Sequence, residues 1–215
     1  VSGILAFMGR RQLMSLSDSH AQALQRQIAH AEELLQQAWL RNGQTRLAEQ
    51  LLGQPGLERL GHSALVFLTS YLDAPVAAFY VREDNGSLKR VAAHGFTPIS
   101  AQVEHTFYDA QGLIGHAAAQ NRVIQLDDVP PDYLQITSGL GQASPRHVLV
   151  VPQHHDGQVT GVVEMAFLRP LVKRDLALAA IMANNIGTAL HGAVNRQRLQ
   201  DALAETQQLN EELQV

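Results

Sequence analysis

The chain has 215 residues, of which 46% are hydrophobic and 17% are charged, as in an ordinary soluble globular protein. Its net charge of −4 gives no basic surface of the kind that binds nucleic acid. It contains no cysteine, which excludes disulfides, thiolate metal sites, cysteine nucleophiles and a thioether-linked chromophore. The absence is consistent with a cytoplasmic setting.

The chain starts with a short apolar run, Gly3–Met8, followed by Arg10 and Arg11. A complete membrane span needs roughly 20 apolar residues, so this run is too short to be one. It is either an ordinary helix start or the cytoplasmic end of a span, because basic residues are expected just inside a membrane. The second reading predicts a membrane-anchored parent protein with this domain facing the cytoplasm.

Residues 1–43 are predicted to form a first region, a long helix that Asn42-Gly43 ends. Small and apolar residues recur along it at alternating spacings of three and four, the a/d pattern of a coiled coil. These residues are Ala21, Leu24, Ile28, Ala31, Leu35 and Ala38. Because many of them are alanine, we expect a weak, closely packed coil.

Residues 44–170 are predicted to form a globular domain with an α+β fold. The predicted helices are Gln44–Leu52, Leu57–Leu72 and Gly112–Gln120. The predicted strands are Val76–Val81, Leu88–Ala93, Val103–Phe107, Val123–Leu126, Val148–Val151 and Val159–Leu168. This order favours an antiparallel sheet with helices on one face and a long loop and a pocket on the other.

The long loop lies within Asp127–Pro152 and is rich in proline, glycine and serine. A structured loop of this length beside a sheet is usually a binding loop or a lid. Asp127, Asp128 and Asp132 cluster near its start, and paired carboxylates can perform acid–base chemistry. Capping of the turn before Pro130 is the simpler role for Asp127 or Asp128.

Residues 171–215 are predicted to form one long C-terminal helix with a second a/d pattern. Its positions are Leu199, Ala202, Thr206, Leu209 and Leu213. Two such helices flanking one domain favour a parallel homodimer, because apolar stripes left in water are costly. The alternative is that both helices fold back onto their own sheet.

Several residue strings in this chain resemble the GAF domains of bacterial hybrid sensor histidine kinases. They are Gln44–Leu52, Leu65–Tyr71 and Ala78–Tyr80, followed by Gly112–Ala118 (GLIGHAA), Asp127–Pro130 (DDVP), Ser138–Gly141 (SGLG), Pro145–His147 (PRH) and Gly157–Glu164 (GQVTGVVE). In order and spacing they run from Gln44 to Pro170. The resemblance implies a GAF/PAS-like fold and a regulatory domain in a two-component system, passing a conformational change through dimeric helices to a kinase core outside this chain.

Two departures from that family narrow the range of expected ligands. The Asn-Lys-x-Asp signature of the cyclic-nucleotide subgroup is missing, and the cysteine that phytochrome-type domains need for a bilin is absent. The methionine-sulfoxide reductases of GAF-like fold also need cysteine, so this segment is expected not to be an enzyme. No cofactor is implied, and an unidentified small molecule or a ligand-free dimerisation spacer are the remaining alternatives.

Candidate ligand-binding residues are taken from the sheet and the long loop. They are Phe79, His94, Phe107, Tyr108, Ile114, Tyr133, Ile136, Arg146, Val148 and Glu164. Tyr133 offers an apolar ring with a hydrogen-bonding tip, although Tyr133 and Ile136 would serve equally to pin an empty loop onto the sheet. Glu164 interrupts an apolar strand, so it is either solvated or paired, with Arg146 or His147 as the expected partner.

The ten histidines raise the question of a metal site. His105, His116 and His147 would converge if the loop folds over the sheet, whereas His154 and His155 point to opposite faces of a strand. No spacing resembles a known zinc pattern, so no metal is predicted.

Overall fold

The computed structural model describes residues 2–53, 56–95, 106–131, 133–138 and 141–212, without the side chains of residues 2–19, 138, 211 and 212. The chain divides into two units, residues 1–42 and residues 43–215. The described helices are α1 (Ser2–Leu51), α2 (Leu57–Leu72), α3 (Gly112–Gln120) and α4 (Lys173–Glu212). The described strands are β1 (Val76–Arg82), β2 (Leu88–His94), β3 (Thr106–Phe107), β4 (Ile124–Asp127), β5 (Ile136–Ser138), β6 (Gly141–Ala143), β7 (His147–His155) and β8 (Gln158–Phe167).

An antiparallel sheet of six strands, in the order β3-β2-β1-β8-β7-β4, forms the centre of residues 43–215. The central strands β1 and β8 carry apolar residues on both faces, as expected for strands covered on both sides. The predicted α+β fold is therefore confirmed. A small hairpin of β5 and β6 forms inside the long loop and was not predicted.

One face of the sheet packs against α2 and α4. A side chain added at Gly161 of β8 would lie 3.0 Å from the Leu190 Cδ1 atom of α4, so this face of β8 is turned toward that helix. Alternation along the strand places Val163, Met165 and Phe167 on the same face, and all three are buried.

The predicted break at Asn42-Gly43 is wrong, because α1 continues without interruption to Leu51. A Cβ atom at Gly43 would lie 2.9 Å from the Tyr71 ring and 3.0 Å from Leu178. Glycine costs about 1 kcal/mol inside a helix compared with alanine. Here it allows the helix to approach α2 and α4 closely, a reason that no local sequence pattern contains.

The first half of α4 is a core helix: Leu178, Met182, Ile186 and Leu190 are all buried. Lys173–Asn210 is long and apolar enough to cross a membrane by composition, but a buried core helix meets the same criterion. The first half of α4 therefore folds back onto its own sheet, which was one of the two alternatives that the sequence left open.

The second half of α4 carries an exposed apolar stripe. Leu199 is 63% exposed and Leu209 is 54% exposed, with Ala202 and Thr206 also in water. Leu213 lies outside the described residues. The sequence had not singled out Leu203, which is 54% exposed beside them.

Within residues 20–42 of α1, the predicted coiled-coil positions are likewise exposed. Leu24 is 59% exposed, Ile28 51% and Leu35 71%, and Ala21, Ala31 and Ala38 are also in water. The side chains of Gly3–Met8, the expected end of a membrane span, lie outside the described part.

Gly187 marks the closest approach of α4 to the sheet, since an added Cβ would lie 2.2 Å from the His154 carbonyl oxygen. We expect Gly187→Ala to lower the free energy of unfolding by about 1–3 kcal/mol, because overpacking against a rigid backbone forces the helix away. Urea unfolding followed by circular dichroism measures the change.

Gly192→Ala is the matched control on the same helix, because its added Cβ would meet only the Arg196 side chain, at 3.4 Å. It should leave the protein unchanged or stabilise it by up to about 1 kcal/mol. Equal effects of the two substitutions would contradict the close contact at Gly187.

Candidate functional site

A pocket of about 320 Å³ opens on the sheet face that α2 and α4 leave uncovered. The short helix α3 covers part of this face, where Ile114, Ala117 and Ala118 pack against the strands. The rest of the face is left to the long loop, which contributes Tyr133 and Leu134. The lining residues are Val76, Ala77, Ala78, Tyr80, Arg90, Phe107, Tyr133, Leu134, Val148, Glu164 and Ala166.

Glu164 is the carboxylate in the floor of this pocket. It lies on β8, opposite Ala78 of β1 and Val150 of β7, so neither neighbouring strand offers a cation beside it. Its one hydrogen bond among the described residues comes from the Tyr133 hydroxyl, which donates to Glu164 Oε1 across a long 3.5 Å. Burial raises the pKa of Glu164 above its ordinary value, and the Tyr133 contact only partly offsets that effect.

Two tyrosines share the pocket with this carboxylate. Burial, followed by the nearby Glu164 charge, raises the pKa of Tyr133 to about 12. The same two causes raise the pKa of Tyr80, which is almost fully buried. Both phenols are therefore neutral hydrogen-bonding groups near neutral pH.

Arg90 and Phe107 form the wall on the β2 and β3 side. Arg90 pairs across the strands with Tyr80, and its positive charge lowers the Tyr80 pKa against the two larger opposing causes. Phe107 meets the Tyr80 ring edge-on, with centroids 5.4 Å apart. The pocket thus holds a negative group at one side, a positive group at the other and apolar rings between them.

The structure brings four predicted ligand-binding residues together in this pocket: Phe107, Tyr133, Val148 and Glu164. Ile114 and Ile136 belong to the adjoining apolar cluster, outside the pocket lining. Phe79 faces α2, since a Cβ at Gly61 would lie 3.1 Å from its ring. His94, Tyr108 and Arg146 are exposed and line no part of it.

The expected partners of Glu164 were wrong. Arg146 donates to Asp128 Oδ1 at 2.6 Å, and His147 Nδ1 lies 2.8 Å from Asp127 Oδ1. The hydrogen bond from His147 is the main cause that lowers the pKa of Asp127. The two acids therefore hold the ends of the long loop together through side chains, in place of the predicted turn caps.

Sequence reasoning missed Arg90 and Tyr80, two of the polar groups in the pocket. Tyr80 stands in the apolar run VAAFYV, and strand alternation places it on the face opposite to Phe79. That alternation was a usable signal. Arg90 was harder to find because the irregularity between Phe79 and Tyr80 shifts the β1–β2 register.

The described histidines form no cluster of three. His116 Nδ1 lies 2.8 Å from the Gly112 carbonyl oxygen, and His155 stacks on His191 of α4 with ring centroids 4.4 Å apart. His105 lies outside the described residues. Among those described, no group of three residues that could hold a metal is present.

The family model for the GAF domain matches residues 54–191, a range that contains the sheet, the pocket and the core half of α4. The chain belongs to the GAF domain family. A comparison with curated protein sequences gives no match. The resemblance seen in the sequence is confirmed at the level of the family, and the helix order and antiparallel sheet are those of a GAF fold.

Solved structures share this fold at low sequence identity. The GAF domain of a phosphoenolpyruvate-protein phosphotransferase from Coxiella burnetii is 21% identical, with a TM-score of 0.60 over 76% of this chain and 96% of that one. The corresponding Acinetobacter domain is 15% identical, with a TM-score of 0.59 over 76% and 98%. A free methionine-R-sulfoxide reductase from Neisseria meningitidis, solved with its substrate, is 15% identical, with a TM-score of 0.58 over 73% and 91%.

Replacing Glu164 with glutamine should stabilise this GAF domain at neutral pH. Folding raises the pKa of Glu164, so the folded state disfavours its charged form. The protein therefore loses stability as pH rises through that pKa. We expect Glu164→Gln to raise Tm at pH 7, with the advantage shrinking as pH falls through the raised pKa of Glu164 and disappearing below the ordinary carboxyl value of 4.5. Differential scanning fluorimetry across pH measures this effect.

Glu205→Gln is the control, because Glu205 is an exposed carboxyl group on α4. Its Tm should match that of the unmodified protein at every pH. A Glu164→Gln protein that is less stable at neutral pH would contradict the free-energy cost assigned to the charged form of Glu164.

Proposed function

We propose that this GAF domain is a regulatory sensory module of a two-component sensor histidine kinase. In this role the pocket binds a small molecule, and the flanking helices of a homodimer carry the resulting change to a kinase core outside this chain. The segment itself is proposed to have no catalytic activity. The proposed setting is cytoplasmic, in a bacterial parent protein that is either soluble or membrane-anchored.

The observation that carries this proposal is the double role of β8. One face of the strand places Glu164 in the pocket, and the other packs Val163, Met165 and Phe167 against the helix side. A ligand that shifts β8 therefore acts directly on the packing of α4. A bound state can favour one of two helix arrangements only through such a differential contact.

The apolar stripes support the homodimer. On α4, residues 199–209 expose leucines beyond the part of the helix that packs on the sheet, and residues 24–35 of α1 do the same. Both stripes follow three–four spacing, which a second copy of the same helix can cover by coiled-coil packing. The helices would thus serve both as the dimer interface and as the route of output.

The kinase context rests on the resemblance of the strings SGLG and PRH in the long loop to GAF domains of sensor kinases. The structural neighbours come from other contexts, a phosphotransferase and a reductase. A phosphoacceptor-histidine helix and an ATP-binding domain in the complete parent protein would support the proposal. A different output domain there would overturn the kinase assignment and leave the sensory role intact.

A ligand-free structural spacer is the alternative function, and it would use the same helices with an empty pocket. A thermal-shift screen of this chain against a metabolite library separates the two, because a reproducible increase in Tm contradicts the spacer. An enzyme of the sulfoxide-reductase type is disfavoured, since the chain has no cysteine.

Leu209→Asp should weaken the dimer by about tenfold or more in Kd, because it places a charge in an apolar seam. Sedimentation equilibrium across a micromolar concentration series measures the effect. Gln207→Asp is the control, as it adds the same charge two residues away, off the predicted seam. A strictly monomeric unmodified chain at high micromolar concentration would overturn the relay.

A further inference from the structure

The pocket described above contains a carboxylate with unusually few partners. Among the described residues, Glu164 takes part in no ion pair and receives one hydrogen bond, at 3.5 Å from Tyr133. An ionised carboxylate has roughly four acceptor positions, so most of its capacity is unused. Glu164 is half-buried, and leaving a charge in this state costs free energy that a hydrogen-bonding cation would partly recover.

Glu164 is surrounded by apolar residues on its own face of the sheet. Its cross-strand neighbours are Ala78 and Val150, and its neighbours on the same face of β8 are Val162 and Ala166. An apolar residue would suit this central strand better, as the rest of the strand shows. A local departure of this kind from the folding pattern is expected at a functional site.

We propose that the pocket recognises a small organic amine, whose protonated nitrogen donates hydrogen bonds to Glu164 while its apolar body lies against Tyr80, Phe107 and Val148. This inference rests on the proposed sensory function and names the chemical class of its ligand. The Tyr133 hydroxyl, already 3.5 Å from the carboxylate, completes the polar end of the site.

The size and charge of the pocket restrict the amine further. A volume of about 320 Å³ is near the lower limit of small-molecule pockets and fits a compact metabolite. Arg90 lines the pocket beside Tyr80, and its positive charge lowers the pKa of Tyr80. A second positive charge on the ligand is therefore disfavoured, and a neutral or hydrogen-bond-accepting group is preferred at that end.

Three probes that share a phenethyl group test the amine directly: phenethylamine, phenethyl alcohol and hydrocinnamate. Each is titrated into the full 215-residue chain by isothermal calorimetry. We expect the amine to bind about tenfold or more tightly than the alcohol, and the carboxylate to bind more weakly than either. Glu164→Gln should remove the difference between amine and alcohol, while unchanged alcohol affinity shows that its pocket is intact. Glu205→Gln should retain the preference.

A pH series provides a second, independent measurement. The described titratable and charged groups around Glu164 are Tyr133, Tyr80 and Arg90, and both tyrosines have raised pKa values. Amine affinity should fall on acidification as Glu164 takes up a proton, whereas alcohol affinity should not. Because burial raises the Glu164 pKa, the fall should start at a higher pH than for an exposed glutamate.

Equal binding of amine and alcohol by the unmodified chain would overturn the amine assignment and leave the sensory pocket standing. A preference for the amine that survives in Glu164→Gln would overturn the role of Glu164. Failure of all three probes to bind would overturn the inference, while the proposed helix relay is tested separately by sedimentation of the Leu209→Asp variant.

Discussion

The packing of α4 against one face of the sheet is the contact on which the rest of this structure depends. Leu178, Met182, Ile186 and Leu190 bury one side of the helix, and Gly187 brings its backbone against His154 of β7. Together, α2 and α4 cover this face of the sheet. Among the described residues, the short α3 and the long loop lie over the opposite face, and the pocket opens between them.

Because the two faces of the sheet are covered differently, the side chains of β8 lie in two different environments. Alternation along β8 sends Val163, Met165 and Phe167 to the helix side and Glu164 to the pocket. The strand is central, hydrogen-bonded on both sides to β1 and β7. In the proposed relay, a change at Glu164 would reach α4 through this strand, which is paired on both sides.

The long loop contributes Tyr133 and Leu134 to the pocket and is anchored to the sheet at both ends. Its ends are joined by the Asp128–Arg146 pair, which is exposed at both partners, and by the Asp127–His147 pair, in which the His147 side chain is only 14% exposed. Exposed pairs of this kind contribute little to global stability. Their effect is local, since they join the two ends of the loop that carries Tyr133.

Strand and helix periodicity in the sequence determined the α+β class, most strand positions and the exposed three–four stripes on the two long helices. The same alternation correctly separated Glu164 from Val163 and Met165, because the direction of a strand side chain is a local property. Local patterns failed at Gly43, where a residue that breaks isolated helices is tolerated because α2 and α4 press against it. They also failed for Phe79, which the tertiary structure turns toward α2.

Only the tertiary structure decided which polar groups meet. The pairing of Glu164 with Tyr133, and of Arg146 and His147 with the two aspartates, depends on how the loop crosses the sheet. Arg90 entered the pocket through a register shift between β1 and β2. Such contacts join residues far apart in the chain, and their geometry follows from packing and not from the spacing of residue types.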